Sequence, residues 1–136
     1  MLLLALDTAT LQASVALLQD GAVRAEAAQT VTTHSEGLLQ LIDETLRAGG
    51  VKVAALDAIV CGRGPGSFPG LRIGLATAKG LCLAAGKPLL VVSSLWPLVA
   101  ATRDVAAAAP GELVAAVLDA RRSEVFFALY RDGAAV

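Results

Sequence analysis

Residues 1–24, MLLLALDTATLQASVALLQDGAVR, decide the fold because their pattern returns near the end of the chain, at residues 113–136. In both segments an apolar run ends at an aspartate, a polar turn follows, and a second apolar run ends at an Asp-Gly pair. Laid over each other without gaps, the segments place Asp7 on Asp119 and one Asp-Gly pair on the other. Any two β-hairpins share apolar strands and polar turns, but the matching aspartates favour a duplicated hairpin over a chance likeness.

Between the two hairpins the sequence predicts a third strand and then helices and strands in alternation. A strand over 22–31 is followed by a helix over 34–48, where apolar residues recur at helical spacing behind Thr33 and Glu36, which form a capping-box pattern. This β-β-β-α-β-α-β-α order predicts a mixed α/β sheet flanked by helices, not the strict alternation of a Rossmann fold. The later elements are a strand over 57–61, a helix over 71–85, a strand over 89–92, a helix from Ser93 or Ser94 to about Asp104, and the second hairpin.

The repeat also predicts the domain organisation. Residues 1–110 form one domain in this interpretation, and residues 111–136 open a second, similar domain. Because the second copy stops soon after its hairpin, we expect the sequence to be part of a longer two-domain protein.

Composition and charge limit the classes of function. Of the 136 residues, 56% are hydrophobic, which supplies a core and argues against disorder. The net charge of −1 gives no basic excess for gripping a nucleic-acid backbone. No apolar run reaches roughly 18 residues, so no membrane span is expected, and residues 1–6 lack the basic flank of a signal peptide. We therefore expect a cytoplasmic protein in which Cys61 and Cys82 are buried free thiols.

The glycine-rich stretch GRGPGSFPGLRIG, residues 62–74, allows two interpretations. A strand, a glycine-rich turn and a helix N-terminus can present amides to an anion, although the lysine of a Walker A loop is missing and the dinucleotide pattern G-x-G-x-x-G fails in every register. Alternatively, the stretch is a tight turn in which Ser67 caps the next helix. The residues of the candidate anion or nucleotide loop are Asp7, Thr8, Arg63, Gly64, Gly66 and Ser67.

A stripe of small residues follows that loop. Residues Gly70, Gly74, Ala78 and Cys82 are four apart and share one face of the predicted helix. Each glycine inside a helix costs up to about 1 kcal/mol relative to alanine, so close approach of another backbone is the expected compensation. That backbone belongs either to this domain or to the helix of a partner.

The sequence predicts neither a catalytic residue nor a metal ligand. His34 is the chain's one histidine, so a site built from two histidines is impossible, and its place in the first turn of a helix is typical of a solvated side chain. The acidic residues show no spacing that indicates paired acid–base carboxylates. The Arg121-Arg122 pair beside Asp119 allows contact with a nucleic acid or with a partner's carboxylate, but exposed arginines are usually just solvated.

Five segments together resemble the TsaB family of bacterial tRNA threonylcarbamoyladenosine biosynthesis proteins, once grouped with glycoproteases. The resemblance implies the actin, Hsp70 and sugar-kinase (ASKHA) fold. One departure is Pro69, where the family usually has threonine in GSFTGLR; proline in the first turn of a helix has no intrahelical bond to lose. The segments are LALDTAT (4–10), HSEGLLQLIDETL (34–46), GRGPGSFPGLRIGLATAKGLCLA (62–84), VVSSL (91–95) and LDARRSEVFFALYRDG (118–133).

The resemblance further implies a non-catalytic adaptor. TsaB-type chains bind TsaD-like proteins, which transfer threonylcarbamoyl to adenosine 37 of tRNAs, and through that complex they meet TsaE-like proteins. TsaD-like proteins hold a metal through His-x-x-x-His where this chain reads Ser93-Ser94-Leu95-Trp96-Pro97. The resemblance thus implies no cofactor on this chain, ATP and a metal on the partner subunits, and tRNA contact only through the complex.

The same resemblance implies an interface on the helices over 34–48 and 69–85, used for TsaD-like partners and for a homodimer in their absence. The competing functions are a peptidase, an ATP-using phosphotransferase of the same fold, or a simple homodimerising module. The predicted interface residues are Leu38, Leu41, Thr45, Gly70, Leu71, Gly74, Ala78 and Cys82.

Overall fold

The computed structural model describes residues 1–30, 36–106, 109–121 and 123–136, and within these ranges the predicted order of elements is observed. The side chains of Glu36 and of residues 102–106 are outside the description. Thr33 and His34 are also outside it, and with them the predicted capping box and the predicted solvated histidine. The strands are β1 (Leu2–Asp7), β2 (Gln12–Gln19), β3 (Ala22–Thr30), β4 (Ala58–Gly62), β5 (Leu89–Val92), β6 (Leu113–Arg121), β7 (Glu124–Arg131) and the unpredicted two-residue β8 (Ala134–Ala135). The helices are α1 (Glu36–Ala48), α2 (Phe68–Ala85) and α3 (Trp96–Ala106), with a short, unpredicted 3₁₀ turn at Val53–Ala55.

The first five strands form one mixed sheet in the order β3-β2-β1-β4-β5. The strands β1, β2 and β3 pair antiparallel, whereas β4 pairs parallel with both β1 and β5. The β2–β3 hairpin turns at Asp20 and Gly21, whose φ angles of 52° and 86° are both positive, as a two-residue type I′ turn requires.

One face of this sheet carries the main core. Helix α1 packs on β2 and β3, and α2 packs on β4 and β1. Leu4, Leu17 and Ile59 of the sheet have no exposed surface. Burying a leucine or isoleucine side chain contributes about 1.5 to 3 kcal/mol, so this layer supplies much of the driving force for folding. None of the described helices is long and apolar enough to cross a membrane.

Helix α3 belongs by its packing to the second hairpin. Leu95 and Val99 form a separate core cluster with Ala116 of β6 and Tyr130 of β7. The Trp96 indole Nε1 also donates to the carbonyl of Gly133, at 3.2 Å. The predicted domain division between residues 110 and 111 stays a prediction, and the packing groups α3 with the three-stranded sheet β6-β7-β8.

The two copies of the hairpin share turn geometry. Asp7 Oδ1 accepts from the amide of Ala9 at 2.7 Å, and Asp119 Oδ1 accepts from the amide of Arg121 at 2.7 Å. Asp20 and its counterpart Asp132 both have a φ of 52°. Both segments are therefore hairpins, as predicted, with equivalent local structure at equivalent aspartates.

The copies differ in register. A bulge between Asp119 and Arg121 shifts the β6–β7 pairing by one residue, so Leu118 faces Phe126, whereas Leu6 faces Val15 in the first hairpin. A shift of one residue moves side chains to the opposite face of a strand. Consequently Ala128 and Tyr130 of β7 pack in the cluster with α3, and the opposite face of the strand, which includes Phe127, is exposed.

Candidate functional site

The glycine-rich loop docks on the turn of the first hairpin. The amide of Ser67 donates to the carbonyl of Ala9 at 2.7 Å, and Thr8 Oγ1 donates to the carbonyl of Gly70 at 2.8 Å. The Ser67 hydroxyl accepts from the amide of Gly70 at 3.4 Å and caps α2, as the second interpretation of the loop predicted. The glycine-rich loop and the first hairpin turn thus form one hydrogen-bonded network.

Asp7 accepts two of the hydrogen bonds in this network. Its Oδ2 accepts from the hydroxyl of Ser94 at 2.6 Å, while its Oδ1 accepts from Ala9. The Ser94 hydroxyl in turn accepts from the amide of Gly64 at 3.1 Å, and the Ser94 amide donates to the carbonyl of Gly64 at 2.8 Å. Both carboxylate oxygens of Asp7 are therefore engaged within the chain.

Ser94 is the member of this network that sequence reasoning missed. The sequence suggested only that Ser93 or Ser94 caps a helix; in the structure, Ser93 Oγ accepts from the amide of Leu95 in the turn before α3, at 3.2 Å. Ser94 instead points back to Asp7, 87 positions earlier in the chain. A polar residue directly after a buried strand was the available signal, but it does not identify a contact at that separation.

Gly62 must be a glycine for this network to form. A Cβ at this position would overlap the carboxylate of Asp7 and come within 2.8 Å of the Ser94 hydroxyl. The glycine at the end of β4 therefore makes room for the Asp7–Ser94 contact.

The residues of the candidate anion loop lie close together, but several of the loop's backbone amides have partners in the protein. The amides of Gly64, Ser67 and Gly70 donate to acceptors within the chain, as described above. The backbone amide of Arg63 donates to the carbonyl of Val92 at 2.8 Å, and its side chain is exposed. These contacts support the tight-turn interpretation; the anion site stays an untested prediction.

The small-residue stripe faces this chain's own sheet, which corrects its assignment to a partner interface. Gly70, Gly74, Ala78 and Cys82 are all buried. A Cβ at Gly70 would overlap the carbonyl oxygen of Thr8, and one at Gly74 would overlap its Oγ1. The backbone that the stripe accommodates is the first hairpin turn, the first of the two alternatives that the sequence left open.

The interface residues predicted on α1 also point inward. Leu38 and Leu41 belong to the main core, and the buried Thr45 hydroxyl donates to the carbonyl of Leu41 at 2.8 Å. Leu71 is half-buried, and its side chain is the nearest neighbour of a Cβ placed on Gly64. Apart from Leu71, the predicted interface residues are buried within the chain, so an interface on α1 and α2 would use mainly other side chains of these helices.

The outer faces of both helices carry exposed apolar side chains that the sequence reasoning did not select. Leu39 of α1 is 55% exposed, and Phe68 and Leu83 of α2 are 71% and 85% exposed. The guanidinium of Arg72 lies 5.8 Å from the centre of the Phe68 ring. Near its C-terminal end α2 forms a shallow groove with β5, lined by Leu83 and flanked by Lys79 and Lys87.

A second cleft lies between the two hairpin turns and the start of α2. Thr10 and Leu11 line it from the first turn, Phe68 and Pro69 from α2, and the segment 118–121 from the second hairpin. Arg121 and Asp119, singled out in the sequence, are thus both at this cleft, while Arg122 lies outside the described residues.

The two cysteines are free and buried, as the sequence predicted. Burial, followed by the negative charge of Asp7 and the nearby Cys82, raises the pKa of the Cys61 thiol to about 11. Burial also raises the pKa of Cys82. Neither thiol is a ready nucleophile at neutral pH, because the thiolate is the reactive form.

Comparison with known proteins identifies the family. Residues 12–136 match the model of the TsaD family, described as tRNA N6-adenosine threonylcarbamoyltransferase. The chain belongs to the TsaD family. Within this family it is 39% identical over 138 residues to the tRNA threonylcarbamoyladenosine biosynthesis protein TsaB of Escherichia coli, across 96% of this chain and 55% of that protein. It therefore spans about half the length of the curated relatives it matches.

Solved structures agree with the family and confirm the fold. YeaZ from Pseudomonas aeruginosa superposes with a TM-score of 0.86 at 38% identity, over 99% of this chain and 63% of that chain. A ROK hexokinase from Thermus thermophilus superposes with a TM-score of 0.60 at 17% identity, over 100% of this chain and 49% of that chain. The latter likeness concerns the fold alone, and it shows that this family member has the ASKHA fold, as the resemblance implied.

Proposed function

We propose that this chain is a non-catalytic adaptor in the synthesis of threonylcarbamoyladenosine at position 37 of tRNAs, and that it binds and stabilises a TsaD-type catalytic subunit. The names of its relatives support a role in this modification. The observation that carries the adaptor role is the pair of helices α1 and α2, whose outer faces expose Leu39, Phe68 and Leu83. Exposed apolar side chains of this size are candidates for protein–protein contacts.

The state of the polar groups supports an adaptor more than an enzyme. The carboxylate of Asp7 accepts hydrogen bonds at both oxygens, and the thiols of Cys61 and Cys82 stay protonated at neutral pH. A nucleophilic cysteine reacts as the thiolate, which the raised pKa values of both thiols disfavour. The carboxylate of Asp7 is engaged in positioning the first turn and Ser94.

The partner subunits supply the chemistry in this proposal. TsaD-type and TsaE-type proteins carry the ATP and the metal, and tRNA meets this chain only through the complex. In the absence of a partner, two copies of the chain associate through the same exposed helix faces. The net charge of −1 agrees with indirect tRNA contact, because a protein that binds a phosphate backbone directly normally has a strongly basic surface.

Complex formation is the test. The chain is mixed with the TsaD-type subunit of its own organism, and the mixture is analysed by size-exclusion chromatography with light scattering. The adaptor role predicts a peak whose mass is the sum of both chains. Separate elution of the two proteins at micromolar concentration would overturn the proposal for this chain.

A further inference from the structure

The described chain consists of two packed units. The first unit contains the five-stranded sheet with α1 and α2, and its core includes Leu4, Leu17 and Ile59. The second unit contains α3 and the three-stranded sheet, and its core includes Val99 and Tyr130. No residue belongs to both core clusters among the residues that the structure describes. The two units meet at the connection from β5 to α3, and Pro97 of α3 lines a cavity together with strands of the first sheet.

Ser94 lies in the short connection from β5 of the first unit to α3 of the second. It makes the three hydrogen bonds described above, one to the carboxylate of Asp7 and two with the backbone of Gly64. Leu95, the next residue, is already part of the second core and is 3% exposed. The backbone is thus fixed, just before it enters the second unit, by hydrogen bonds to the end of β1 and to the glycine-rich loop.

We propose that Asp7 and Ser94 form a clasp that fixes the second unit against the first and sets the width of the cleft between the two hairpin turns. Hydrogen bonds to a charged acceptor are short and strong, and the 2.6 Å distance fits this class. Asp7 ends β1 and directly precedes the first turn, which lines one wall of the cleft, whereas Ser94 positions the unit that supplies the other wall.

The Ser94 hydroxyl has a particular role in the clasp because it both donates and accepts. Without it, Asp7 Oδ2 loses its donor and the amide of Gly64 loses its acceptor. The two groups are then left without partners at the same point, where water has to enter to solvate them. Because Ser94 lies where the chain enters the second unit, a small rotation of that unit about Ser94 produces a larger displacement at the cleft. This inference goes beyond the adaptor role and does not depend on it.

Distance measurements across the cleft test the clasp. Spin labels are placed at Gln12→Cys and Glu124→Cys, two exposed and equivalent positions of the duplicated hairpins, while the buried native thiols are left in place. Electron–electron resonance then gives the distribution of distances between the labels. Ser94→Ala is expected to broaden this distribution and to shift its mean, whereas Ser94→Thr, which keeps the hydroxyl, retains the narrow one.

Hydrogen exchange separates the clasp from a general loss of stability. In Ser94→Ala, amides of β6 and β7 should exchange at least tenfold faster, while those of β1 and β4 keep their rates. The matched control is Ser93→Ala, since the Ser93 hydroxyl accepts only a local hydrogen bond from Leu95 among the contacts described above. It should leave both the distances and the exchange rates unchanged.

An unchanged distance distribution in Ser94→Ala would overturn the clasp, as would equal acceleration of exchange in both units. If Ser94→Ala does not fold, Asp7→Asn decides, because it keeps the size of the side chain but removes the charged acceptor. A narrow, wild-type distribution in folded Asp7→Asn would count equally against the proposal, and a broadened one supports it.

Discussion

Thr8 and Gly70 are joined across the domain by a buried hydrogen bond of 2.8 Å from the threonine hydroxyl to the glycine carbonyl. This contact holds the first turn of α2 against the end of β1 so closely that a side chain at Gly70 has no space. The two segments are 62 positions apart in sequence, and their contact explains why the helix tolerates glycines near its start.

Substitution of Gly70 by alanine should destabilise the fold. The added methyl group overlaps a backbone carbonyl that cannot move without disturbing β1, so the free energy of unfolding should fall by about 2 to 4 kcal/mol. Urea denaturation followed by circular dichroism measures this change. The matched control is Gly80→Ala in the same helix, where a Cβ meets nothing within 4 Å; it should raise stability by up to about 1 kcal/mol. Equal effects of the two substitutions would contradict the close packing of α2 on Thr8.

The start of α2 should depend on its cap and not on the unusual proline. Ser67→Ala removes the acceptor for the amide of Gly70 and should cost about 0.5 to 2 kcal/mol of unfolding free energy. Pro69→Thr, which restores the residue more common in the family, should change stability by less than about 1 kcal/mol, because the first turn of a helix needs no amide at that position. Thermal unfolding of both variants provides the measurement, with Ser67→Asp as a capping replacement expected to retain the wild-type value. A larger loss for Pro69→Thr than for Ser67→Ala would show that the proline fixes the loop.

Stability should fall at alkaline pH through Cys61. The pKa of its thiol is about 11 in the folded chain and near 9.0 when unperturbed, so above pH 9 the unfolded state releases a proton that the folded state retains. The free energy of unfolding contributed by this thiol is therefore complete below pH 9 and is lost as the pH rises towards 11. Urea titrations at several pH values measure the free energy of unfolding as a function of pH. Cys61→Ala should make this free energy fall less steeply above pH 9, whereas Cys82→Ala should retain the contribution of Cys61 to the fall. Identical slopes in the wild type and Cys61→Ala would refute the assignment.

Local patterns predicted the elements well because each one carries its own signal. The apolar spacing of α1, the Asp20-Gly21 turn and the Ser67 cap are decided by residues a few positions apart, and the structure confirms the helix, the hairpin and the cap. The family match agrees with the fold that these elements predicted.

Contacts between distant segments were beyond such patterns. The stripe of Gly70, Gly74, Ala78 and Cys82 correctly indicated close approach of another backbone, but small side chains do not reveal whose backbone it is. In the same way Ser94 gave only a signal for a helix start, and α3 gave none for its packing on the second hairpin. Each of these outcomes depends on the three-dimensional arrangement of segments far apart in sequence.

The affinity of this chain for a TsaD-type subunit, with and without the apolar side chain of Leu83, tests the adaptor role most directly. Isothermal titration calorimetry should give a dissociation constant that rises at least tenfold for Leu83→Asp, since a carboxylate would then have to be buried against the partner. The control is Leu113→Asp on the second sheet, where an exposed leucine is replaced away from α1 and α2; it should bind within about twofold of the wild type. An unchanged dissociation constant for correctly folded Leu83→Asp would contradict binding through this face of α2, and the absence of binding by the wild type would contradict the adaptor role itself.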